Sequence, residues 1–318
     1  MTASVLHAAD RETLRAICGA GVAFDEPLAP FTYWKIGGPA DAWIVVENEE
    51  QLAALMRFCA KRRVAWLALG SGSNLLVGDG GIRGLVLRLA GDFANIVVTH
   101  DDATVVVHAG ASGNMPLLTA KAAAVGAVGV ASLAGIPGSV GGSLRMNAGT
   151  DREMGDFVRE VWVQSPGKPD PHPVTVQYYY RHTSLSSDAI VARVTLVFEK
   201  GDAKRVREEM QARLVRRKNT QPLALPNAGS CFRNPEGDKA ARLIEALGAK
   251  GWREGGAEVS PLHANFINNV DRASARDVAT LLARVRHGVF ERFGVELQLE
   301  VHLVGEFTDS DDVCERAT

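Results

Sequence analysis

The feature that most restricts how this chain can fold is a stretch without a single charge. Residues 122–144, between Lys121 and Arg145, read "AAAVGAVGVASLAGIPGSVGGSL". A run of about 20 apolar residues is long enough for a helix that spans a bilayer. The composition argues against that use, because the residues are mostly Ala, Gly, Ser and Val, interrupted by six glycines and a proline. Proline and clustered glycine both disfavour a helix interior. Two uses remain open. The run is either a tight buried crossing, or a cradle in which backbone amides, unobstructed by Cβ atoms, surround a phosphate.

At 318 residues the chain has room for two or three domains with real cores. Hydrophobic residues make up 46% and charged residues 23%, the balance of an ordinary soluble globular protein. With 35 basic and 37 acidic residues the net charge is −2, so nothing in the electrostatics calls for nucleic acid or an anionic membrane. Cys18, Cys59, Cys231 and Cys314 are scattered without CxxC or metal spacing, and read as free thiols in a reducing compartment. Asp10, Arg11, Glu12 and Arg15 fall where a secretory signal needs an apolar core, so no export signal is expected. These features together predict a cytoplasmic protein with no membrane span and no metal.

Strand and helix patterns alternate along the chain. "QLAALMRFCAKRR" places Leu52, Leu55, Phe58 and Cys59 on one helical face, and "VAWLALG" reads as a buried strand. "GLVLRL", "NIVVTH" and "TVVVHAG" are valine- and leucine-rich strands, "MPLLTAKAAAVG" a helix, and "VREVWVQS" a strand. In "AIVARVTLVFEK", Ile190, Ala192, Val194, Leu196 and Phe198 share one strand face. Near residue 200 the texture changes. The charged amphipathic helix "DAKRVREEMQARLVRRK" leads to the loop "NTQPLALPNAGSCFRNP", the helices "DKAARLIEALG" and "ARDVATLLARVRHGVFERF", and a last strand "VELQLEVHLVGEF". The pattern reads as an N-terminal α+β region to about residue 200 and a distinct C-terminal α+β domain. No repeat of 20–50 residues is present.

A second glycine loop lies about 65 residues before the first, in "LALGSGSNLLVGDGGIRGLVL". It follows a strand but continues as strands and turns, whereas a dinucleotide fingerprint opens a helix, and no Walker lysine is present. A hairpin-like turn explains it equally well in isolation. Two such loops beside strands point to one extended nucleotide cofactor, its pyrophosphate held by peptide dipoles.

Taken in order, "FTYWKIGGPAD", "LALGSGSNLLV", "AGIPGSVGG…MNAG", "YYRHTSL", "NAGSCFRNP" and "GGAEVSPLHANFINN" resemble the UDP-N-acetylenolpyruvoylglucosamine reductases. The resemblance covers about residues 30–305. It implies an α+β fold: an FAD-binding domain of the vanillyl-alcohol-oxidase/PCMH type in two subdomains, 1–90 and 91–200, with 301–318 returning to the first, and a C-terminal substrate-binding domain, 201–300. It also implies non-covalent FAD, NADPH as reductant, and a UDP-sugar enol ether as substrate. Carried onto this chain, the cofactor positions are Lys35, Gly37 and Gly38; Gly70, Ser71, Gly72, Ser73 and Asn74; Gly135, Ile136, Pro137, Gly138, Ser139, Gly141 and Gly142; and Asn147, Ala148 and Gly149.

The implied reaction adds hydride to an enol-ether double bond conjugated to a carboxylate. It therefore needs charge stabilisation at the carboxylate and a proton donor for the adjacent carbon. Arg181 matches the family's catalytic arginine and can hold a carboxylate through two parallel bonds. Ser230 matches the proton donor. Strand alternation puts Leu297, Leu299, Val301 and Leu303 on one face of the last strand and Glu296, Gln298, Glu300 and His302 on the other, so Glu300 faces solvent or a cleft. The resemblance selects the cleft. Lys218, Asn234 and His263 match substrate-side positions. Cys231 stands where the family pattern has a bulky apolar residue. Some relatives carry a long loop with a tyrosine lid between the arginine and lysine motifs. Only 36 residues separate Arg181 from Lys218 here, which resembles the shorter subtype. The rival readings are a flavin oxidase of the same superfamily and a non-catalytic nucleotide-binding module. Against the oxidase, no histidine stands in or beside "GSGSN" to tether a flavin covalently.

Overall fold

A computed structural model describes residues 5–307 of the chain. The first part contains α1 (Ala8–Cys18), β1 (Val22–Pro27), β2 (Pro39–Val46), α2 (Glu49–Arg62), β3 (Trp66–Ala68), β4 (Leu75–Val77) and β5 (Ile82–Leu89). Four of these strands form a sheet in the order β1-β2-β5-β3. The β1–β2 pair is antiparallel, and β5 runs parallel to both β2 and β3. Asn48 caps α2 by accepting from the Gln51 amide at 2.9 Å, one of the donors a helix start leaves free. Leu52, Leu55, Phe58 and Cys59 are buried under the sheet, as their spacing predicts.

The second part contains β6 (Ile96–His100), β7 (Thr104–Gly110), α3 (Met115–Ala124), α4 (Val140–Arg145), β8 (Val158–Gln164), β9 (His172–Val174), β10 (Tyr178–Tyr179), β11 (His182–Thr183), β12 (Ile190–Glu199) and α5 (Ala203–Thr220). Its five-stranded sheet, β6-β7-β12-β8-β9, is antiparallel throughout. β12 is the central strand, and Ile190, Ala192, Val194, Leu196 and Phe198 are all buried. One continuous core joins the first two sheets.

The third part contains α6 (Ala240–Ala246), β13 (Arg253–Glu254), β14 (Ala257–Val259), β15 (Ile267–Asn269), α7 (Ala275–Phe293) and β16 (His302–Val304). The antiparallel sheet β13-β14-β15 packs against α7, whose apolar face from Val278 to Val289 is buried.

The uncharged run is divided among several elements. It supplies the last turn of α3, a 3₁₀ turn at Val130–Leu133, a loop, and most of α4. No helix among the described residues is long and apolar enough to cross a membrane.

Two expectations need correction. A division at residue 200 does not follow the packing: α5 lies on α3 and on the 130–133 turn, and Val206 belongs to the core of the first two sheets. The helix looks independent in sequence only because its remaining face is charged. The last strand is also far shorter than 295–307, being restricted to His302–Val304. Residues 297–301 cross between two parts and so have no continuous ladder partner. Leu299 makes one bridge with Phe232, and the Glu300 amide donates to the Cys231 carbonyl at 2.8 Å.

The chain then reaches the first part, where β16 pairs parallel with β4 and the Glu306 amide donates to Gly81 at 2.8 Å. Residues 308–318, with Cys314, lie outside the described residues. Further ties fix the third part in place. Trp34 Nε1 donates to the Ile267 carbonyl at 2.8 Å, and Asn269 returns a bond to the Trp34 carbonyl at 2.9 Å. Asp79 accepts the amides of Ala275 and Arg276, at 2.8 and 3.1 Å, and so caps α7 from another part of the molecule. The junction of the three parts is a cleft.

Candidate active site

Both glycine loops reach this cleft, which has a volume of about 340 Å³. Gly70, Ser71, Gly72, Ser73 and Asn74 line one side, and Ile136, Pro137, Gly138, Ser139, Gly142, Ala148 and Gly149 line the other. Ser73 Oγ donates to the Pro137 carbonyl at 3.2 Å and joins the loops. A narrower arm of about 100 Å³ continues between the two large sheets, past Leu87, Ala111, Gly141 and Ile190. Several residues shared by the two spaces make the cleft continuous.

The glycines of the uncharged run fall into two groups. A Cβ at Gly126 would collide with the Gly201 carbonyl oxygen, and one at Gly141 would sit 2.9 Å from Ala111 Cβ. These two permit close packing. At Gly142 the nearest atom to an added Cβ is Ser139 Oγ of the same segment at 3.3 Å, and at Gly138 it is Ser73 Oγ of the other glycine loop at 3.1 Å. Without a Cβ at those positions the backbone itself forms the cleft wall. The run therefore combines close packing with a stretch of cleft wall.

At the other end stand Arg181, Ser230 and Glu300, from three distant segments. Arg181 Nε donates to Glu300 Oε1 at 3.0 Å, a second guanidinium nitrogen to Glu153 Oε1 at 3.1 Å, and a third to the Gly149 carbonyl at 3.2 Å. It adopts φ 60°, a left-handed conformation that costs a β-carbon residue about 1–3 kcal/mol. Burial pushes the Glu300 carboxyl above its ordinary pKa, against the opposing attraction of Arg181. Burial raises Glu153 likewise, again opposed by Arg181. Ser230, half-buried, follows Gly229 at φ 78°. Asn74 fixes the Glu300 backbone, donating to its carbonyl at 2.9 Å. Cys231 faces away, 1% exposed in the core of the third part, and burial lifts its thiol to about 12. It is a packing residue.

Other expected positions lie off the cleft. Lys35, Gly37 and Gly38 border a separate open recess beside Asp79 and Asn269, and Lys35 Nζ donates to the Pro30 carbonyl at 3.0 Å. An added Cβ at Gly38 would strike the backbone of Asp79, so this motif shapes a turn. Gly135 packs against the Arg217 side chain of α5. Asn147 is buried, tying Glu153 Oε2 at 2.6 Å to the Tyr179 carbonyl at 3.0 Å. Lys218 is exposed on the outer face of α5, and its neighbour Arg217 lines the cleft instead. Asn234 accepts from the Ala240 amide at 3.1 Å at the start of α6, and His263 stands edge-on to Phe266, with ring centroids 4.7 Å apart. Of that pair only Phe266 reaches the cleft wall.

Sequence reasoning missed Arg217, Gln221 and His302 at the cleft, and Ser112 in its arm. The hydroxyl of Ser112 and Oε1 of Gln221 are shielded from solvent without a hydrogen-bond partner among the described residues. Helical spacing from Arg213 to Arg217 and Gln221 was the one available signal, since residues four apart share a face.

The fold and the paired glycine loops agree with a family model described as "FAD binding domain", which matches residues 40–165. The protein is an FAD-dependent oxidoreductase with the α+β FAD-binding fold that the resemblance implies. A second model, described as "UDP-N-acetylenolpyruvoylglucosamine reductase, C-terminal domain", matches residues 221–304 and begins where α5 ends. UDP-N-acetylenolpyruvoylglucosamine reductase 2 of Symbiobacterium thermophilum is 45% identical, over 88% of this chain and 91% of its own. The enzyme of that name from an Anaeromyxobacter species is 43% identical, over 90% and 87%. The crystal structure of UDP-N-acetylenolpyruvylglucosamine reductase from Thermus caldophilus superposes with a TM-score of 0.74 at 35% identity, covering 89% of this chain and 98% of that one. The chain belongs to the UDP-N-acetylenolpyruvoylglucosamine reductase family. FAD fits the residues present: a long two-armed cleft, glycines whose added Cβ atoms would narrow it, and polar atoms without partners in both arms.

Proposed function

We propose that this cleft reduces UDP-N-acetylglucosamine enolpyruvate to UDP-N-acetylmuramate with NADPH as reductant, in the cytoplasm, as a step of peptidoglycan precursor synthesis. The observation that carries the reading is the meeting of Arg181, Glu300 and Ser230 in the cleft that holds both glycine loops. Bound FAD supplies hydride acceptance from NADPH and hydride donation to the enol ether. The amides of 70–74, with those of Gly138 and Ser139, are assigned to its pyrophosphate, since peptide dipoles hold an anion without a lysine, whereas the amides of Val140, Gly141 and Gly142 already donate to Gly113, Ala111 and Ser139.

Arg181 receives the substrate carboxylate and stabilises the negative charge that grows beside it. Its guanidinium is already oriented by Glu300, Glu153 and Gly149, so little reorganisation accompanies the reaction. Ser230 gives the proton to the carbon next to the carboxylate. A hydroxyl is a weak acid, and the raised pKa of Glu300 supports the reading that this carboxyl carries a proton nearby. The substrate side is assigned to Phe266, with Lys218, Asn234 and His263 outside direct contact. Between Arg181 and Lys218 the chain is taken up by β11, β12 and α5, without an inserted lid.

The test is anaerobic. NADPH should bleach the flavin, and adding the enolpyruvyl nucleotide sugar should restore its absorbance with one equivalent of product. An enzyme reoxidised only by oxygen would be an oxidase, and a preparation that takes up no FAD would end the reading.

A further inference from the structure

We propose that Arg217 and Gln221, at the C-terminal end of α5, clamp the pyrimidine edge of the flavin ring and hold the negative charge that reduction places there. The inference rests on the FAD reading above and goes beyond it by assigning a residue that sets the cofactor's potential.

Three arginine and glutamine positions lie one turn apart on α5, and they are treated differently. Arg213 is neutralised by Asp151, at 2.5 and 2.8 Å, and by Glu209 at 3.2 Å. Arg217, on the same face, has no acceptor, ion pair or aromatic partner among the described residues, although it lines the cleft. Burial depresses its pKa, and nothing offsets that effect. Gly135, at φ 73°, makes room for it, since an added Cβ there would stand 2.9 Å from Arg217 Cδ. A desolvated cation without a partner is costly, so the arrangement calls for an anion in the cleft. Arg181 differs in this respect, because its charge is already compensated by two carboxylates.

The chemistry of the neighbours selects the anion. Gln221 caps α5, and its Oε1 is a buried acceptor without a donor. A diphosphate offers only acceptors at neutral pH and would leave that oxygen unpaired. It would also meet the negative end of the α5 dipole, which suits a cation such as Arg217 and opposes a multiply charged anion. The pyrimidine edge of the flavin places carbonyl oxygens beside an N–H, which answers Arg217 and Gln221 together. Hydride transfer from NADPH leaves NADP⁺ and adds two electrons and one proton to the ring, so one net negative charge appears at that edge. The cation is therefore most useful in the reduced state.

The experiment measures the midpoint potential of the FAD-loaded protein by equilibration with a reference dye. Arg217→Gln should still bind FAD but favour the reduced form at least tenfold less, a fall of about 30 mV or more for a two-electron couple. Arg217→Lys, which keeps the charge and loses the fork, should recover part of the shift. An unchanged midpoint overturns the proposal. So does an unchanged midpoint with a raised KM for the enolpyruvyl substrate, which would make Arg217 a substrate-anion residue. If Arg217→Gln purifies without flavin, Gln221→Glu serves instead: a carboxylate at the ring edge should lower the midpoint, and no change refutes the clamp. Wild-type protein that binds no FAD would fail the cofactor reading itself, a distinct result.

Discussion

Arg181 is held by two half-buried carboxylates in a backbone conformation that disfavours it, and the energy of that arrangement is recovered only if its position matters. The charges involved make the site sensitive to pH. A carboxyl whose pKa rises on folding binds its proton more readily in the native state. Its contribution to stability is therefore present below the ordinary value of 4.5 and is lost as pH rises through the folded value. Burial outweighs Arg181 at Glu300, so Glu300→Gln should flatten the decline of Tm from pH 4.5 upward. An unaltered pH slope would show that Glu300 titrates as it does in the unfolded chain. Ser230→Ala should leave flavin reduction by NADPH intact while slowing substrate reduction about a thousandfold or more, roughly 4 kcal/mol of barrier. Rapid mixing resolves the two half-reactions, and equal losses in both would refute the proton-donor role. At this scale the motifs around Arg181 and Ser230 were legible. Lys218 was not separable from Arg217, because adjacent helical residues point about 100° apart and sequence does not say which faces inward.

Among the elements, the uncharged run was legible as something other than a membrane helix, but not as one structure. Its glycines serve close packing at some positions and line the cleft at others. Gly142→Ala should fold normally and lose FAD occupancy, measured by the flavin-to-protein absorbance ratio. Gly126→Ala, at φ 87° against the Gly201 backbone, should instead lower Tm, with FAD content per folded molecule unchanged. The reverse pattern would exchange the two roles. The cap that Asp79 places on α7 predicts another outcome. Asp79→Ala should destabilise the protein by about 1–2 kcal/mol in denaturant titrations, since two helix-start amides lose their acceptor. No change would mean that water replaces the carboxylate at no cost. The last strand was misjudged because alternation of apolar residues reports burial on one side. It does not report whether a ladder partner runs alongside.

For the molecule as a whole, three parts close around one cleft, and the chain returns from the third to the first through β16. Cys18, Cys59 and Cys231 are enclosed by that packing, with thiols pushed by burial to about 11, 12 and 12. With Cys314 replaced by serine, an aromatic disulfide reagent should label native protein far more slowly than unfolded protein. Rapid labelling of native protein would show that the parts open readily. Fold class, and the motifs whose glycine loops, Arg181, Ser230 and Glu300 line one cleft, were readable in the sequence, because periodicity and short motifs are local properties of the chain. Which glycine lines the cleft, which cation enters it and where α5 packs were settled only by tertiary structure. Those depend on what lies opposite each residue, and the opposing residue is often more than a hundred positions away.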